Sequence, residues 1–252
     1  MRLWEGLLVA VLSAGCADSA EIRVFSAGAM EEPLHHIAAD FAKATGHTIV
    51  FTIDTVGVLQ RKLKSGEKAD AAVLSVAVVE ALEKDGVLPA GGRVELARVL
   101  MGVGVREGTS LPDISTPEAF RRTLLAARSV AVTDPAFAST AGLHFVRLLQ
   151  GFGITEEIGK KSVLRPGGKF VADAIAKGEA EIGITFVSEM LPVKGIRVVG
   201  PLPDAIQSKT TYAAAFPNGA PDAARAFIAF AAAPESARHF ETAGLEPITK
   251  KP

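Results

Sequence analysis

The chain has 252 residues, of which 48% are hydrophobic and 22% charged, and its formal net charge is −1. This apolar fraction excludes an intrinsically disordered chain, and the even charge balance argues against a broad nucleic-acid-binding surface. One cysteine excludes a disulfide framework and a zinc site built on cysteines, while one tyrosine and one tryptophan leave little aromatic surface for stacking bases or sugars.

The first twenty residues have the layout of an export signal. Arg2 precedes a short apolar run at residues 7–12 and a stretch of mostly small residues at 13–20. The apolar run is too short to cross a bilayer, and this layout is typical of a secretory signal peptide. We therefore expect residues 1–20 to be a signal peptide and the mature protein to be periplasmic.

Two ways of processing this segment stay open. Cleavage after Ala17 or Ala20 would release a soluble protein, whereas the residues before Cys16 hint at a lipoprotein box that would anchor the protein through a lipid. Removal of residues 1–20 leaves a chain with no cysteine and with equal numbers of acidic and basic residues. A chain without cysteine suits an oxidising compartment.

Strands and helices alternate after residue 20. Apolar runs predict strands at residues 22–25, 48–53 and 69–74, and amphipathic spacing predicts helices at residues 33–45, 58–64 and 76–85. Pro33 suits a first helical turn, and Gly46 suits the end of a helix. This alternation predicts a parallel sheet with helices on its faces.

The second part of the chain repeats the alternation. Strands are predicted at residues 94–105, 129–133, 181–186, 196–199 and 211–216, and helices are predicted to start near residues 117, 143, 170, 220 and 236. We therefore expect an α/β protein of two lobes, each a mainly parallel sheet flanked by helices. Lobe I is predicted to comprise residues 21–99 and 208–252, and lobe II residues 100–207, with a ligand cleft between them.

The usual catalytic signatures are missing. Residues 24–28 lack the first glycine of a nucleophile elbow, residues 102–107 lack the last glycine of a dinucleotide-binding fingerprint, and no Walker loop is present. His35 and His36 are neighbours that would point about 100° apart on a helix, which disfavours a shared metal ion. We expect no enzymatic activity, no cofactor and no metal site.

Four turns between a strand and a helix are rich in small residues. They lie at residues 26–29 (SAGA), 55–57 (TVG), 139–142 (STAG) and 165–169 (RPGGK). In such a turn the free backbone N–H groups at a helix start can bind an anion, or the small residues simply cap the helix. A single turn favours capping, but four turns, two from each part of the chain, favour an anion-binding cleft.

Four segments in order along the chain carry a resemblance to a known family. They are residues 22–30 (IRVFSAGAM), 60–70 (QRKLKSGEKAD), 130–135 (VAVTDP) and 178–186 (GEAEIGITF). Together they resemble the molybdate-binding periplasmic proteins of ABC transporters, which have the type II periplasmic solute-binding fold. The resemblance implies a monomeric, non-enzymatic receptor whose two lobes close on an anion and which docks to a membrane permease, with no role in nucleic-acid binding.

The ligand residues of that family are largely replaced. The family holds its oxyanion with two serine hydroxyls, a tyrosine hydroxyl and backbone amides. The three side chains correspond to Ala29, Val56 and Phe186 here, although a shift of one residue would offer Thr55. Each missing donor weakens binding by about 1–3 kcal/mol. The ligand therefore stays open between molybdate or tungstate and a small organic anion.

The candidate ligand contacts combine the matched family positions with nearby hydroxyls and cations. Arg165 and Lys169 flank the glycine pair at residues 167–168, where a cation can pair with an oxyanion or stay a solvated surface charge. Ser139 and Thr140 offer further hydroxyl donors. The predicted ligand-binding residues are Ser26, Gly28, Ala29, Thr55, Val56, Ser75, Ala141, Arg165, Gly168, Lys169 and Phe186.

Two other functions stay open beside the receptor. An exported enzyme with an unrecognised site would need a titratable constellation, and none of the four turns carries a Ser-His pair or paired carboxylates. A ligand-sensing domain of a regulator would need a DNA-binding or signalling segment, which the sequence does not show.

Overall fold

The structure is a computed structural model that describes residues 19–248. Within this range, ten strands form one mixed sheet with helices packed on its faces. The predicted signal peptide, with Cys16, lies outside the described residues apart from its last two positions. Among the described residues, no helix combines the length and apolarity that a membrane span requires.

The strands and helices alternate as the sequence predicts. The strands are β1 (Glu21–Ala27), β2 (Thr48–Asp54), β3 (Ala71–Ser75), β4 (Val94–Arg106), β5 (Val130–Thr133), β6 (Ser162–Arg165), β7 (Ile182–Phe186), β8 (Ile196–Pro201), β9 (Lys209–Ala215) and β10 (Leu245–Pro247). The helices are α1 (Glu31–Thr45), α2 (Val56–Lys64), α3 (Val76–Lys84), α4 (Pro117–Ala126), α5 (Thr140–Phe152), α6 (Thr155–Gly159), α7 (Gly168–Ala176), α8 (Val187–Met190), α9 (Asp222–Ala231) and α10 (Ala237–Thr242). Short 3₁₀ helices lie at Gly28–Met30, Pro135–Phe137, Asp204–Ile206 and Pro234–Ser236.

The sheet order is β2-β1-β3-β9-β4-β7-β5-β6, and β8 and β10 also pair with β4. Strand β1 runs parallel to β2 and β3, and β5 runs parallel to β6 and β7. Strand β9 is antiparallel to β3 and β4. Parallel strands joined through helices confirm the predicted α/β fold, and β9 crosses back to pair with β3.

Strand β4 belongs to both ends of the sheet. Its residues 94–100 pair with β9, and its residues 101–106 pair with β7 and β8. We call β1, β2, β3, β9 and β10 the first half of the sheet, and β5 to β8 the second half. The lobe boundaries expected from the sequence, at residues 99–100 and 207–208, stay a prediction.

Helix ends and core contacts follow from local sequence. Helix α1 ends at Gly46, which has a positive φ of 78° that a residue with a side chain would adopt only with strain. Leu34, Ile37 and Phe41 form the buried face of α1, and the Phe41 ring packs edge-on against Phe227 of α9 at 5.4 Å. Burial of each such side chain contributes about 1.5–3 kcal/mol, which fixes α1 and α9 on one face of the sheet.

The sequence analysis missed the shortest elements. Strands β6 and β10 and helices α6 and α8 span three to five residues each. A segment of that length is too short to show a hydrophobic period, so tertiary contacts rather than local pattern decide its conformation.

Candidate functional site

One cavity of about 440 Å³ lies at the carboxyl ends of five strands, β1, β2, β5, β6 and β7. The turns that follow β1, β2, β6 and β7, together with the start of α5, surround it. The four small-residue turns singled out in the sequence therefore lie around one space, two from each half of the sheet. The residues that line the cavity are Ala27, Gly28, Ala29, Glu31, Ile53, Asp54, Thr55, Val56, Thr133, Phe137, Ser139, Thr140, Ala141, Pro166, Gly167, Gly168, Lys169, Phe170, Phe186, Glu189 and Tyr212.

Helices α2, α5 and α7 begin at the cavity. Thr55 and Ser139 cap α2 and α5, because their hydroxyl oxygens accept the N–H groups of Val58 and Gly142 at 3.4 and 2.9 Å. Helix α7 begins at Gly168, directly after a glycine in an extended conformation. The other first-turn N–H groups and the positive ends of the helix dipoles favour a negative charge in the cavity.

Glu189 brings a carboxyl group to the cavity. It lies at the third position of α8, three residues after the end of β7. Its Oε2 accepts the Thr185 hydroxyl at 2.6 Å and, more weakly, the Phe186 N–H at 3.4 Å. Loss of water around the carboxyl raises the pKa of Glu189 to about 7, and the nearby Glu31 charge adds to the shift, whereas the hydrogen bonds oppose it.

Two glycines make room for this carboxyl group. A Cβ on Gly168 would overlap the Glu189 carboxylate and the Thr185 hydroxyl, and a Cβ on Gly28 would lie 3.1 Å from Glu189 Oε1. The nearby backbone of Gly168 opposes the rise in the pKa of Glu189. Both positions require glycine because the Glu189 carboxylate approaches the backbone closely, and not because of an unusual φ. The carboxyl group therefore fits between the two halves of the sheet.

Tyr212 supplies a buried phenol from the opposite side. It lies on β9, is 2% exposed, and its ring packs edge-on against Phe186 with the centroids 6.2 Å apart. Burial raises the pKa of the Tyr212 hydroxyl well above its usual value, and the Glu189 charge adds to the shift, while the neighbouring Thr140 hydroxyl opposes it. The phenol therefore stays protonated and can donate a hydrogen bond.

One buried hydroxyl of the lining has no partner. Thr133, the last residue of β5, is 2% exposed, and its Oγ1 forms no hydrogen bond within residues 19–248. An unpaired buried hydroxyl costs about 1–3 kcal/mol, and a polar group left in this state at a cavity is a candidate ligand contact.

Formal charges in the lining are mostly negative. Glu31, Asp54 and Glu189 are acidic, and Lys169 is basic. Lys169 lies 3.5 Å from the Glu31 carboxylate, and its side chain is 60% exposed. Positive potential in the cavity therefore comes from backbone amides together with this one lysine among the lining residues.

The two halves of the sheet touch on both sides of the cavity. Thr55 donates its hydroxyl to the Phe137 carbonyl at 2.6 Å, and Ser188 donates its hydroxyl to the Ala29 carbonyl at 2.8 Å. A Cβ on Gly57 would overlap Ala138 across the same boundary. These contacts hold the cavity in a closed arrangement.

The structure places eight of the eleven predicted site residues in the lining. They are Gly28, Ala29, Thr55, Val56, Ala141, Gly168, Lys169 and Phe186. The other three lie outside it. Ser26 is fully buried and donates to the Ala27 carbonyl at 3.3 Å, Ser75 is buried at the start of α3, and Arg165 forms an ion pair with Glu179.

Sequence reasoning missed five polar members of the lining. Only the fold brings them to the cavity, and they are Glu31, Asp54, Thr133, Glu189 and Tyr212. An acidic residue three positions after a buried strand was the one signal that pointed to Glu189. Within the described range, His, Cys, Asp and Glu side chains form no group of three suited to a metal ion.

Comparisons with known proteins match this chain over nearly its whole length. Residues 22–246 match the family described as bacterial extracellular solute-binding protein. The chain is 30% identical over 239 residues to a Pseudomonas protein named aconitate isomerase, which covers 92% of this chain and 89% of that protein. It is 24% identical over 250 residues to the Escherichia coli molybdate-binding protein ModA, which covers 97% of each.

The fold is also that of a solved molybdate-binding protein. The Azotobacter vinelandii periplasmic molybdate-binding protein superposes with a TM-score of 0.73 at 16% identity, covering 91% of this chain and 100% of that chain. These matches confirm the resemblance that the sequence segments indicated.

Proposed function

Because the chain belongs to the family of bacterial extracellular solute-binding proteins, we propose that it captures a small organic anion in the cavity between the two halves of its sheet. The protein does so outside the cytoplasm and passes the anion to the membrane permease of an ABC-type transporter. The convergence of four small-residue turns and three helix N-termini on one cavity is the observation that carries the proposal.

The lining favours an organic anion over a tetrahedral metal oxyanion. Ala29, Val56 and Phe186 present no hydroxyl at the positions where molybdate-binding proteins have theirs. The hydroxyls that line the cavity come instead from other positions, Thr133 and Tyr212 among them. A volume of about 440 Å³ also lies within the roughly 300–1,000 Å³ typical of sites for organic ligands.

Calorimetric titration with a panel of anions tests this proposal. The panel contains molybdate, tungstate, sulfate, phosphate and small mono-, di- and tricarboxylates, each at the same ionic strength. We expect at least one carboxylate to bind and to raise the melting temperature, because a ligand that binds only the folded state stabilises it by mass action. Binding of molybdate and tungstate alone would contradict the organic ligand, and binding of no anion would contradict the receptor.

Two lysine variants distinguish the effect of a charge in the cavity from that of a charge elsewhere on the surface. Lys169→Met removes the cation of the lining, and we expect a several-fold loss of affinity for the bound anion that shrinks as salt increases. Lys160→Met is the matched control, because Lys160 is 72% exposed and pairs with Glu156 on α6, away from the cavity. Equal effects of the two changes would contradict a role for Lys169.

An enzyme acting on the captured anion is the second candidate. The 30% identical relative is named aconitate isomerase, and aconitate is a small unsaturated tricarboxylate of the kind that this cavity suits. The Glu189 carboxyl, which the sequence analysis did not consider, faces the same cavity. The expectation of a non-enzymatic receptor accords with the family, whereas the name of this relative favours an enzyme, and measurement of turnover decides between the two.

A further inference from the structure

Glu189 differs from the other acidic side chains of the lining in its partners. Glu31 faces Lys169 at 3.5 Å, and Asp54 Oδ1 accepts the backbone N–H of the next residue at 2.7 Å. Glu189 is held by neutral donors, chiefly the Thr185 hydroxyl at 2.6 Å. Within residues 19–248, it forms no ion pair with a lysine, arginine or histidine. No cation therefore holds this carboxyl group in its ionised form, so that it can both take a proton from a bound molecule and give one to it.

On the basis of the proposed capture of an organic anion, we propose that Glu189 is a catalytic acid–base group that moves a proton between two carbons of an unsaturated polycarboxylate. The substrate class has a CH₂ group between a carboxylate and a carbon–carbon double bond, and the product is its double-bond isomer. The cavity then converts its ligand as well as holding it.

The step is a 1,3-proton shift that needs no other reactant. The ionised Glu189 takes a proton from the CH₂ carbon, so that this C–H bond breaks and its electron pair spreads over the three allylic carbons and the attached carboxylate. The protonated Glu189 then gives a proton, either the one that it took or one exchanged with solvent, to the far allylic carbon, which forms a new C–H bond and moves the double bond. The conformation about the former single bond when the proton leaves decides whether the product is cis or trans.

The surroundings of Glu189 suit both halves of this cycle. Desolvation raises its pKa to about 7, so that near neutral pH the ionised and protonated forms are both populated, as an acid–base group requires. Glu31, Glu32 and Lys169 lie with Glu189 around a small adjoining cavity, and Tyr212 faces it across the main one. Among these groups, it is the Glu31 charge that raises the pKa of the Glu189 carboxyl group further.

The same cavity can stabilise the charge that develops on the substrate. The first turns of α2, α5 and α7 line it, and the Tyr212 phenol stays protonated. The Thr133 hydroxyl is a further donor with no partner among the described residues. Donors fixed in advance around a developing negative charge are the most effective form of electrostatic catalysis.

Proton NMR of the isomers in D₂O tests the inference directly. The purified protein is incubated with cis-aconitate or with trans-aconitate, and both interconversion and deuterium incorporation at the allylic carbons are followed. We expect the wild-type protein to catalyse both, with a rate that rises as the pH increases through about 7, because the base must be ionised. Glu189→Gln should lower the rate at least a hundredfold and should leave calorimetric binding of aconitate within a few-fold.

Two further variants keep the experiment decisive. Glu156→Gln is the matched control, since Glu156 lies on the exposed face of α6 and should keep full turnover. Glu189→Asp should retain part of the activity, because a carboxyl group remains one methylene further from the substrate. Circular dichroism and melting temperature confirm that each variant is folded.

The outcomes separate the two proposals. Binding of aconitate without interconversion or deuterium exchange would overturn the catalytic role and leave the capture of an organic anion in place. Full activity in folded Glu189→Gln would overturn the assignment to Glu189. Absence of binding for every carboxylate of the calorimetric panel would overturn the proposed function itself.

Discussion

The two walls of the cavity use different chemistry. The first wall, built by Ala27–Ala29, Glu31, 53–56 and Tyr212, offers the amides at the start of α2, two carboxylates and one buried phenol. The second wall, built by Thr133, Phe137, 139–141, 166–170, Phe186 and Glu189, offers the amides at the starts of α5 and α7, the unpaired Thr133 hydroxyl, a lysine and a carboxyl group that forms no ion pair among the described residues.

The Thr55 hydroxyl of the first wall joins the two walls. Thr55 donates to the Phe137 carbonyl on the opposite wall at 2.6 Å and caps α2 with the same oxygen. The second wall keeps Thr133 without a partner and Glu189 with neutral partners alone. Under the proposed function, this difference assigns closure over an anion mainly to the first wall, and discrimination between ligands and action on them mainly to the second.

The largest expected effect concerns the second wall and follows from Glu189. Its folded pKa, about 7, lies above the unfolded value of 4.5. The stabilisation from its bound proton is complete below about pH 4.5 and is lost as the pH rises through about 7. Relative to Glu189→Gln, the wild-type protein should lose at most about 3 kcal/mol of unfolding free energy over this window.

Urea unfolding of both proteins at pH 4, 5.5, 7 and 8 measures the difference, and Glu156→Gln serves as the control that should follow the wild type. If the stability of Glu189→Gln falls with pH as steeply as that of the wild type, the carboxyl group is not desolvated and the contrast between the walls loses its main support.

The second effect tests the packing that holds Glu189. Gly168→Ala places a methyl group onto the Glu189 carboxylate and the Thr185 hydroxyl. We expect a loss of about 1–3 kcal/mol of stability and at least a tenfold loss of ligand affinity, both measured on the same preparation by unfolding and calorimetry. Gly151→Ala in α5 is the matched control. Because no atom lies within 4 Å of a Cβ there, it should leave affinity unchanged and add up to about 1 kcal/mol.

The fold was predictable because its signals are local and repeated. The runs at residues 22–25, 48–53 and 196–199 each lie within an observed strand, and Gly46 ends α1 where the sequence predicts. The backbone part of the site was predictable for the same reason, since a small-residue turn after a strand places amides at a helix start.

The side-chain part of the site depends on contacts between distant residues. Glu189 and Gly168 are 21 positions apart, and Tyr212 reaches the cavity only because β9 crosses to lie between β3 and β4. Arg165 shows the opposite case, because its position beside a glycine pair suggested an anion contact, whereas the structure turns it toward Glu179. A pattern of residue types does not reveal which way a side chain points when its partner lies elsewhere in the sequence.

The smallest expected effect concerns the unpaired hydroxyl of the second wall. Thr133→Val keeps the shape of the side chain and removes Oγ1, which has no hydrogen-bond partner in the part of the chain that the structure describes. We expect the ligand-free protein to become more stable by up to about 1 kcal/mol, because an unsatisfied buried hydroxyl is removed. The affinity for the ligand should fall about tenfold, because one hydrogen bond to it is lost.

The opposite signs of these two changes make the test specific. Substitution of a residue that only supports the fold would lower both stability and affinity. Substitution of a ligand contact that is unpaired in the free protein raises stability and lowers affinity. Melting temperature and calorimetry on Thr133→Val measure both quantities, and Thr48→Val, at an exposed position of β2, should change affinity in neither direction. If Thr133→Val leaves affinity unchanged, the second wall does not use this hydroxyl, and the distinction between the walls narrows to Glu189 and Lys169.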